Sequence, residues 1–320
     1  MAEKEISDIL KDNSLTFANY VILNRALPDI RDGMKPVVRK LLLAMHDDNA
    51  YTNVKSASVT GLMMKSYHPH GNCYKVIVNQ VHKDGVLTPF LIGKGGWSHH
   101  YSRAGASAER YTEVRLSPFA KYVLDDLKKK SVDYIDNFDG TLKLAEVIPI
   151  QFPSILHYSQ EGIAYGMANK MPSFNLNELN DAVVKYIQTK EKTTLIPDFA
   201  SGGLIVKNDS VFNQINYVAG TDEEKKKNKS ASLYSFKLRA KIDIDGNILY
   251  VREIPYETTI DDIFDKVREQ SKNGKLKEIT DIVSMQGKGS SGIKITCKKN
   301  TNMDLLLEKL YSLTPLECPF

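Results

Sequence analysis

The stretch KSASVTGLMMKSYHPHG, residues 55–71, decides the fold of the first half of the chain. Its apolar residues recur three and four positions apart, as on one face of an α-helix. This spacing predicts an amphipathic helix over residues 55–66, followed by a polar turn with two histidines around a proline. The apolar positions are Val59, Leu62 and Met63, and those expected to face outward are Ser58, Thr60 and Lys65.

Three more helices and a strand are predicted around this stretch. The strand-like segment LTPFLIG, residues 87–93, leads through a glycine loop and a polar segment to Tyr111. Short helices followed by a strand and an extended loop are typical of a winged helix-turn-helix, so the helix after Lys55 is predicted to enter a DNA groove. The predicted starts of the other helices are Ser14, Pro36 and Pro69.

From about residue 136 the dominant pattern changes to alternation, which predicts strands. Apolar side chains occupy every second position of residues 236–244, and Asp245-Gly246 turns the chain into a second strand over 248–254. The fold class predicted for the whole chain is therefore α+β. The elements predicted after this hairpin are a helix opened by Thr258 or Thr259, a strand over 292–297 and a helix carrying Leu305, Leu306 and Leu310.

Two charged patterns in this half resemble sites but have simpler interpretations. The run DEEKKKNK, residues 222–229, is interpreted as a solvated loop. Asp243 and Asp245 have the spacing of a metal-binding pair, but the Asp-Gly turn of the predicted hairpin explains them more simply. No metal site is therefore predicted in this chain.

Composition narrows the class of protein. The 320 residues suffice for two or three domains, and a net charge of +4 permits a nucleic-acid partner without requiring one. No apolar run approaches the 18 or so residues of a membrane span, and the N-terminus lacks the pattern of a signal peptide. Three widely spaced cysteines favour neither a disulfide framework nor a zinc site, so an intracellular protein is expected.

Three segments concentrate groups suited to phosphodiester chemistry. They are RALPDIRDGMKP from Arg25, YHPHG from Tyr67 and RYTE from Arg110. A tyrosine phenol has a pKa near 10, so it needs cationic or metal help to attack a phosphate at neutral pH. On the residues alone, Tyr111 could instead be a packing residue, and the two histidines could form a helix cap or a core pair.

Longer segments carry a resemblance to a known family. RALPDIRDGMKPVVRK, KSASVTGLMMKSYHPHG, ERYTEVRL, VDYIDNFDGT and EGIAYGMANKMPSFNL are similar, in order and separation, to motifs in the A subunits of DNA gyrase and topoisomerase IV. The similarity begins near Ser14 and continues through SGGLIV, VREIPYE and LYSLTPL. The chain thus resembles the DNA-breaking subunit of the type IIA topoisomerases.

This resemblance implies roles for individual residues. Tyr111 matches the nucleophile that forms a 5′-phosphotyrosyl bond, and Arg110 and Arg25 match arginines at the cleaved phosphate. Ile163 matches the isoleucine that intercalates between base pairs; without the motif it would be interpreted as a core residue. The other residues implied to bind DNA are Lys35, Arg39, Lys40, Lys55, Lys65, His68 and His70. This chain departs from the family in four places: Ser58 replaces an arginine and Val38 a histidine. Asn72-Cys73-Tyr74-Lys75 stands where the family usually reads Asp-Ser-Ala-Val-Tyr-Asp, and the glycine loop reads Gly-Lys94-Gly-Gly-Trp97 where Gly-Gln-Gly-Asn-Phe is typical.

The resemblance also implies an architecture and partners. Residues 1–26 would form an arm that docks a gyrase B-like protein, 27–135 a winged-helix (CAP-like) DNA-gate domain and 136–320 an α/β tower domain. The partner protein, with its ATPase and Toprim domains, would bind both ATP and Mg²⁺. The chain would bind double-stranded DNA, dimerise through the winged-helix gate and act in the cytoplasm of a bacterium or of a virus-infected host.

Three other functions stay open at this point. In the family, a coiled-coil exit gate follows LYSLTPLE, and its expected absence here would favour a DNA-binding gate fragment without strand passage. Tyrosine recombinases also form phosphotyrosine, but their nucleophile lies near the C-terminus. A winged-helix transcription factor would not need the Arg110-Tyr111 motif.

Overall fold

The computed structural model describes residues 6–82, 85–99, 101–191, 193–206, 236–285 and 292–320. The chain forms two compact units, of which the first comprises Met1–Trp97 and Ala106–Asn180 and the second Ser98–Gly105 and Asp181–Phe320. This division differs from the predicted boundary at residue 136, because Leu144, Ala145 and Ile148 are buried in the core of the first unit. The predicted loop 222–229 lies outside the described residues.

Short helices make up most of the first unit. The predicted helix start at Pro36 is confirmed, since this proline occupies the first position of a helix that buries Leu41, Leu42 and Met45. Wide π-type turns, Ile22–Ala26 and Met63–Tyr67, extend the first and third helices. The helices are α1 (Ile6–Val21), α2 (Pro36–Asp47), α3 (Ser56–Leu62), α4 (Tyr74–Val81), α5 (Pro118–Leu124), α6 (Ser154–His157) and α7 (Leu176–Thr189), the last of which ends in the second unit.

Three predictions about these helices were wrong in detail. Helix α1 begins at Ile6 and not at Ser14, because the chain is already helical before the serine. Helix α4 begins at Tyr74 and not at Pro69. Directly before the helix, the Asn72 side chain accepts a hydrogen bond from the Tyr74 amide and so forms a turn. Thr60 is 2% exposed and does not face outward.

Small antiparallel sheets complete the first unit. A three-stranded sheet has the order β1–β3–β2, and two separate hairpins follow it. In the register of the three-stranded sheet, Lys55 pairs with Glu113 and Lys94 also pairs with Glu113. The strands are β1 (Val54–Lys55), β2 (Leu91–Lys94), β3 (Glu113–Leu116), β4 (Tyr134–Asp136), β5 (Lys143–Ala145), β6 (Gln160–Ala164) and β7 (Met167–Met171).

The second unit contains two antiparallel sheets, with the strand orders β10–β11–β13–β12 and β14–β9–β8. The predicted hairpin turn at Asp245-Gly246 is confirmed, with Gly246 at φ +57°. The strand predicted over 236–244 is divided between the two sheets, because the Ala240 amide donates to Leu316. The strands are β8 (Leu204–Val206), β9 (Lys237–Arg239), β10 (Lys241–Asp245), β11 (Ile248–Glu253), β12 (Ile279–Ser284), β13 (Ile293–Cys297) and β14 (Glu317–Pro319).

Two helices, α8 (Ile260–Lys272) and α9 (Met303–Leu313), pack on the four-stranded sheet of this unit. Of the two threonines considered for the start of α8, Thr259 is the cap, and its hydroxyl accepts from the Asp262 amide at 3.1 Å. On α9, Leu306 and Leu310 are buried as expected, whereas Leu305 is 55% exposed.

The acidic pair of the hairpin has a structural partner. Asp243 accepts a hydrogen bond from Arg252 at 2.8 Å across β10 and β11.

Among the described residues, no helix has both the length and the apolar character needed to cross a membrane.

Candidate functional site

Tyr111 ends a single 3₁₀ turn, Glu109–Tyr111, immediately before β3. Its side chain is exposed, at 64% of its full accessible surface. The guanidinium carbon of Arg110 lies 4.7 Å from the centre of the Tyr111 ring, within the range of a cation–π contact. An exposed phenol with an adjacent permanent cation can approach a phosphate group and stabilise the charge on it.

The residue after this turn fixes it to the first unit. Thr112 is fully buried, and its hydroxyl donates to the Ser56 hydroxyl at 2.9 Å. The Ser56 amide donates in turn to the Thr112 carbonyl at 3.0 Å. Because Ser56 is the first residue of α3, these bonds place Tyr111 beside the start of that helix.

Glu109 forms a second connection between the turn and α3. Its carboxylate accepts from the Thr60 hydroxyl at 2.9 Å and from the Asn72 side-chain amide at 3.2 Å. Sequence reasoning missed both Glu109 and the buried position of Thr60. The adjacency of Glu109 to Arg110 and Tyr111 was a usable signal, but its two partners are 49 and 37 residues away in sequence.

Two of the predicted DNA-binding lysines flank α3, Lys55 on β1 and Lys65 in the π-type turn that follows the helix. Lys55 is exposed, yet its ammonium group lies 3.1 Å from Glu113, whose carboxylate also contacts Lys94 at 3.3 Å. Hydrogen bonds from Lys55 and then Lys94 lower the pKa of Glu113. Lys65 is exposed near the end of the same helical segment. Glu113 thus neutralises part of the positive charge of Lys55 and Lys94.

A second group of predicted residues surrounds an open cavity of about 680 Å³ in the first unit. Arg25, Lys35 and Ile163 all line it. Gly162 permits this arrangement, because a Cβ atom there would lie 2.2 Å from the Ala26 carbonyl oxygen. The hairpin β6–β7 therefore approaches the Arg25 segment closely enough to place Ile163 beside the two cations.

Ile163 is not a core residue. Its side chain is 76% exposed on β6, opposite Ala168 of β7. An aliphatic side chain this exposed gains free energy only when a partner buries it. The core interpretation is therefore excluded, and the exposed position is the one that an intercalating side chain requires.

The two histidines contact each other and an aromatic residue of α1. The rings of His68 and His70 are 5.3 Å apart, edge to face. His70 Nε2 is hydrogen-bonded to the Tyr20 hydroxyl at 2.5 Å. Tyr20 was not predicted as a site residue, because it lies 50 residues from His70 and stands outside the recognised motifs.

His68 is held in its neutral form. Burial is the main cause that lowers its pKa to about 4, and the charges of Lys40, His70 and Arg25 act in the same direction. A neutral imidazole can accept a hydrogen bond as well as donate one.

This shift predicts how the stability of the first unit depends on pH. The pKa of His68 is lower in the folded state than in the unfolded state, so the unfolded state binds more protons between pH 6.5 and about 4. Stability is therefore lost as the pH falls below 6.5. We expect urea unfolding of His68→Asn to lose less stability than wild type over this pH range. An equal loss in both proteins would contradict the assignment.

Arg39 requires a correction, since the structure does not place it on a DNA-facing surface. Its side chain is only 11% exposed, and the guanidinium donates two hydrogen bonds to the fully buried Asp32, at 2.5 and 2.9 Å. Asp29 lies 3.8 Å from the same group. A cation already paired in the interior is not available to a phosphate, so Arg39 is a structural residue. Lys35 and Lys40 are half-buried, and burial is the main cause of their lowered pKa values.

The predicted residues thus fall into two groups. Arg110, Tyr111 and Lys55 lie at the start of α3, whereas Arg25, Lys35 and Ile163 line the cavity. His68 and His70 contact each other and Tyr20. Within the described part of the chain, no hydrogen bond, ion pair or ring contact joins Arg110 or Tyr111 to Arg25, His68 or His70.

Comparison with known proteins gives a consistent result. The profile of the family that comprises the A subunits of DNA gyrase and topoisomerase IV matches residues 25–320. The DNA gyrase A subunit of Leptospira biflexa is 32% identical across 99% of this chain and 38% of that protein. The corresponding proteins of Metamycoplasma arthritidis and Escherichia coli K12 are 33% and 32% identical, over 99% and 98% of this chain. The chain spans only 35–38% of the length of these relatives. It belongs to the family of DNA gyrase and topoisomerase IV A subunits.

Proposed function

We propose that this chain is the DNA-cleaving subunit of a type IIA topoisomerase and that Tyr111 is its nucleophile. The observation that carries the proposal is the exposed Tyr111 phenol, which lies against Arg110 and is fixed to the start of α3. Sixteen tyrosines are present in the chain, so an ordinary surface tyrosine is the competing interpretation. The family match over residues 25–320 favours the catalytic one.

We propose that the first unit contains a winged-helix domain. Helices α2, α3 and α4 precede β2 and β3, and β3 is the central strand of the three-stranded sheet. In such domains the helix that enters the DNA groove is short and exposed along one face. Helix α3 suits this role, because Ser58 is exposed while Val59 is buried. In the π-type turn that extends it, Lys65 is exposed and Met63 is buried. We assign the second unit to the tower.

The chemistry we propose is a reversible transesterification. The Tyr111 oxygen attacks phosphorus and forms a phosphotyrosyl bond to the 5′ side of the break, while the bond to the 3′ oxygen breaks and leaves a 3′ hydroxyl. The bond energy is conserved, so religation is the reverse step. Arg110 would stabilise the negative charge on the phosphate oxygens, and Arg25 would do so from the cavity group. A magnesium ion held by the partner protein would supply further positive charge there.

Partners follow from the family in the same way. We propose that double-stranded DNA is the substrate and that a gyrase B-like protein supplies the ATPase and Toprim domains, with ATP and Mg²⁺ bound there. Helix α1 belongs to the proposed docking arm. Dimerisation through the winged-helix unit is part of the same proposal, as is action in the bacterial cytoplasm, since the relatives named above are bacterial.

The role of Ile163 gives a prediction about DNA bending. Burial of an isoleucine side chain contributes about 1.5–3 kcal/mol, so Ile163→Ala should weaken binding to bent DNA roughly tenfold or more. Folding should be unaffected, because the side chain is 76% exposed. Energy transfer between dyes at the two ends of a short duplex should show a straighter DNA. Ile135→Ala, on a hairpin where the isoleucine is 51% exposed, is the matched control. Equal bending by both variants would rule out intercalation by Ile163.

The experiment that tests the whole proposal is a cleavage assay. The chain is mixed with supercoiled plasmid, Mg²⁺ and a gyrase B-like partner, and the reaction is stopped with detergent. We expect linear DNA with protein covalently attached at Tyr111, identified by peptide mapping. DNA binding without any covalent product, with a partner shown to bind the chain, would instead support a DNA-binding module without cleavage activity.

A further inference from the structure

We infer that Glu109 is a positioning residue for the nucleophile: its carboxylate fixes the Tyr111 turn to α3 and to the loop before α4. The inference rests on the proposed function, because it concerns the orientation of Tyr111 for attack. It assigns a role to a carboxylate that the cleavage chemistry itself does not use.

Glu109 supplies the side-chain hydrogen bonds at the start of the Tyr111 turn. The turn has only three residues, and Arg110 and Tyr111 both project into solvent. Among the hydrogen bonds of the described residues, Glu109 is the member of this turn whose side chain bonds to another element. Thr112 fixes the end of the turn to Ser56, whereas the Glu109 carboxylate fixes its start to Thr60 and Asn72. Loss of this carboxylate therefore frees one end of the short segment that carries the phenol.

Both residues that Glu109 binds, Thr60 and Asn72, are themselves held in place. Thr60 is 2% exposed within α3, which packs into the core of the first unit through Val59 and Met63. Asn72 is tied to its own loop by a bond from the Tyr74 amide to its side-chain oxygen, at 2.7 Å. The carboxylate therefore connects the turn to two separate and well-anchored segments.

The negative charge of Glu109 is unfavourable beside a surface proposed to bind phosphate. A carboxylate beside a phosphate-binding surface opposes DNA binding electrostatically, since the phosphate backbone is negative. Its presence next to Arg110 and Tyr111 is therefore unfavourable for affinity and needs another explanation. Hydrogen bonds to a charged acceptor are stronger than those to a neutral one, so an anchoring role accounts for the acid at this position.

The test compares three single variants of the full chain. Glu109→Ala removes the acceptor, whereas Glu109→Gln keeps one oxygen that can accept from both partners. Thr60→Val removes the donor at nearly constant volume. The Thr60 hydroxyl also lies 3.1 Å from the Ala57 carbonyl, and its one proton can serve only one acceptor at a time. The effect of Thr60→Val alone could therefore come from loss of the bond to Ala57.

A double variant, Glu109→Ala with Thr60→Val, separates the two bonds, because it measures whether Glu109 and Thr60 are coupled.

The first readout needs neither DNA nor partner. Hydrogen exchange of the peptide covering residues 107–113 should be faster in Glu109→Ala than in wild type and should return close to wild type in Glu109→Gln. Thr60→Val should add little to the effect of Glu109→Ala. Unchanged exchange in Glu109→Ala would overturn the inference, whatever the chain does to DNA.

The second readout separates binding from chemistry. In a single-turnover cleavage assay with the partner and Mg²⁺, Glu109→Ala should slow formation of the covalent adduct about 10- to 100-fold, the effect of a slightly misplaced nucleophile. Its affinity for DNA should be unchanged or tighter, which general unfolding would not produce. Glu109→Gln should recover the rate. A Gln variant as slow as the Ala variant would overturn positioning by hydrogen bonding, whereas an inactive wild type would overturn the proposed function and leave the exchange result to decide the inference.

Discussion

Tyr111→Phe should abolish covalent attachment of the protein to DNA and leave DNA binding intact. The substitution removes one oxygen atom, and that oxygen is the atom that would bond to phosphorus. The side chain is 64% exposed, and among the described residues no hydrogen bond to its hydroxyl is found, so the folded structure should not change. Loss of a nucleophile removes its covalent pathway entirely, so no adduct should be detectable.

The measurement is the detergent-quenched plasmid assay. The covalent protein–DNA adduct is quantified by gel electrophoresis without protease treatment. Tyr122→Phe is the matched control, because Tyr122 is another exposed tyrosine of the first unit, at 65%. It should form adduct at the wild-type level. Residual adduct in Tyr111→Phe, or its loss in Tyr122→Phe, would mean that another tyrosine is the nucleophile.

Asp32→Ala should destabilise the first unit by about 3–5 kcal/mol, the cost of leaving one charge of a buried pair without its partner. Asp32 is fully buried and accepts two bonds from Arg39. It also accepts from the backbone amides of Met34 and Ile148, at 3.0 and 3.1 Å. The substitution therefore leaves the Arg39 guanidinium without its carboxylate partner and two backbone amides without an acceptor. The expected loss is a large fraction of the free energy of unfolding of a typical domain.

Trp97 makes this measurement specific to one unit. It is the single tryptophan of the chain and is 7% exposed in the core of the first unit, so its fluorescence in urea reports the unfolding of that unit. Asp243→Asn, which breaks an exposed pair with Arg252 in the second unit, is the control and should shift the midpoint by little. A midpoint for Asp32→Ala close to that of wild type would show that Asp29 can replace Asp32 as the partner of Arg39.

Local patterns predicted elements well wherever one sequence signal decided the structure. Pro36 predicted the start of α2, because proline fixes φ and needs no hydrogen-bond partner at the first position of a helix. Asp245-Gly246 predicted a hairpin turn, because glycine there adopts a positive φ without strain. The boundaries of α1 and α4 failed, since Ser14 and Pro69 only permit a helix to start and do not require it.

The motifs predicted several side chains of the candidate site, but they did not predict Glu109, Tyr20 or the buried position of Arg39. Arg39 was grouped with Lys35 and Lys40 because all three match basic positions on the DNA-facing side of the family. Its interior position depends on Asp32, seven residues away, and on the segment around Ile148, which folds over both. A pairing of that kind involves residues far apart in sequence and leaves no periodic pattern.

The sequence by itself determined the family, the candidate nucleophile Tyr111 with Arg110, and the amphipathic faces of the helices. These are properties of residue identity and short-range spacing, which a single chain displays directly. Only the tertiary structure decided that Ile163 is exposed, that Arg39 is buried and that Glu109 reaches Thr60 and Asn72. Burial and long-range hydrogen bonds depend on which segments pack together, and that is fixed by the whole fold and not by any one segment.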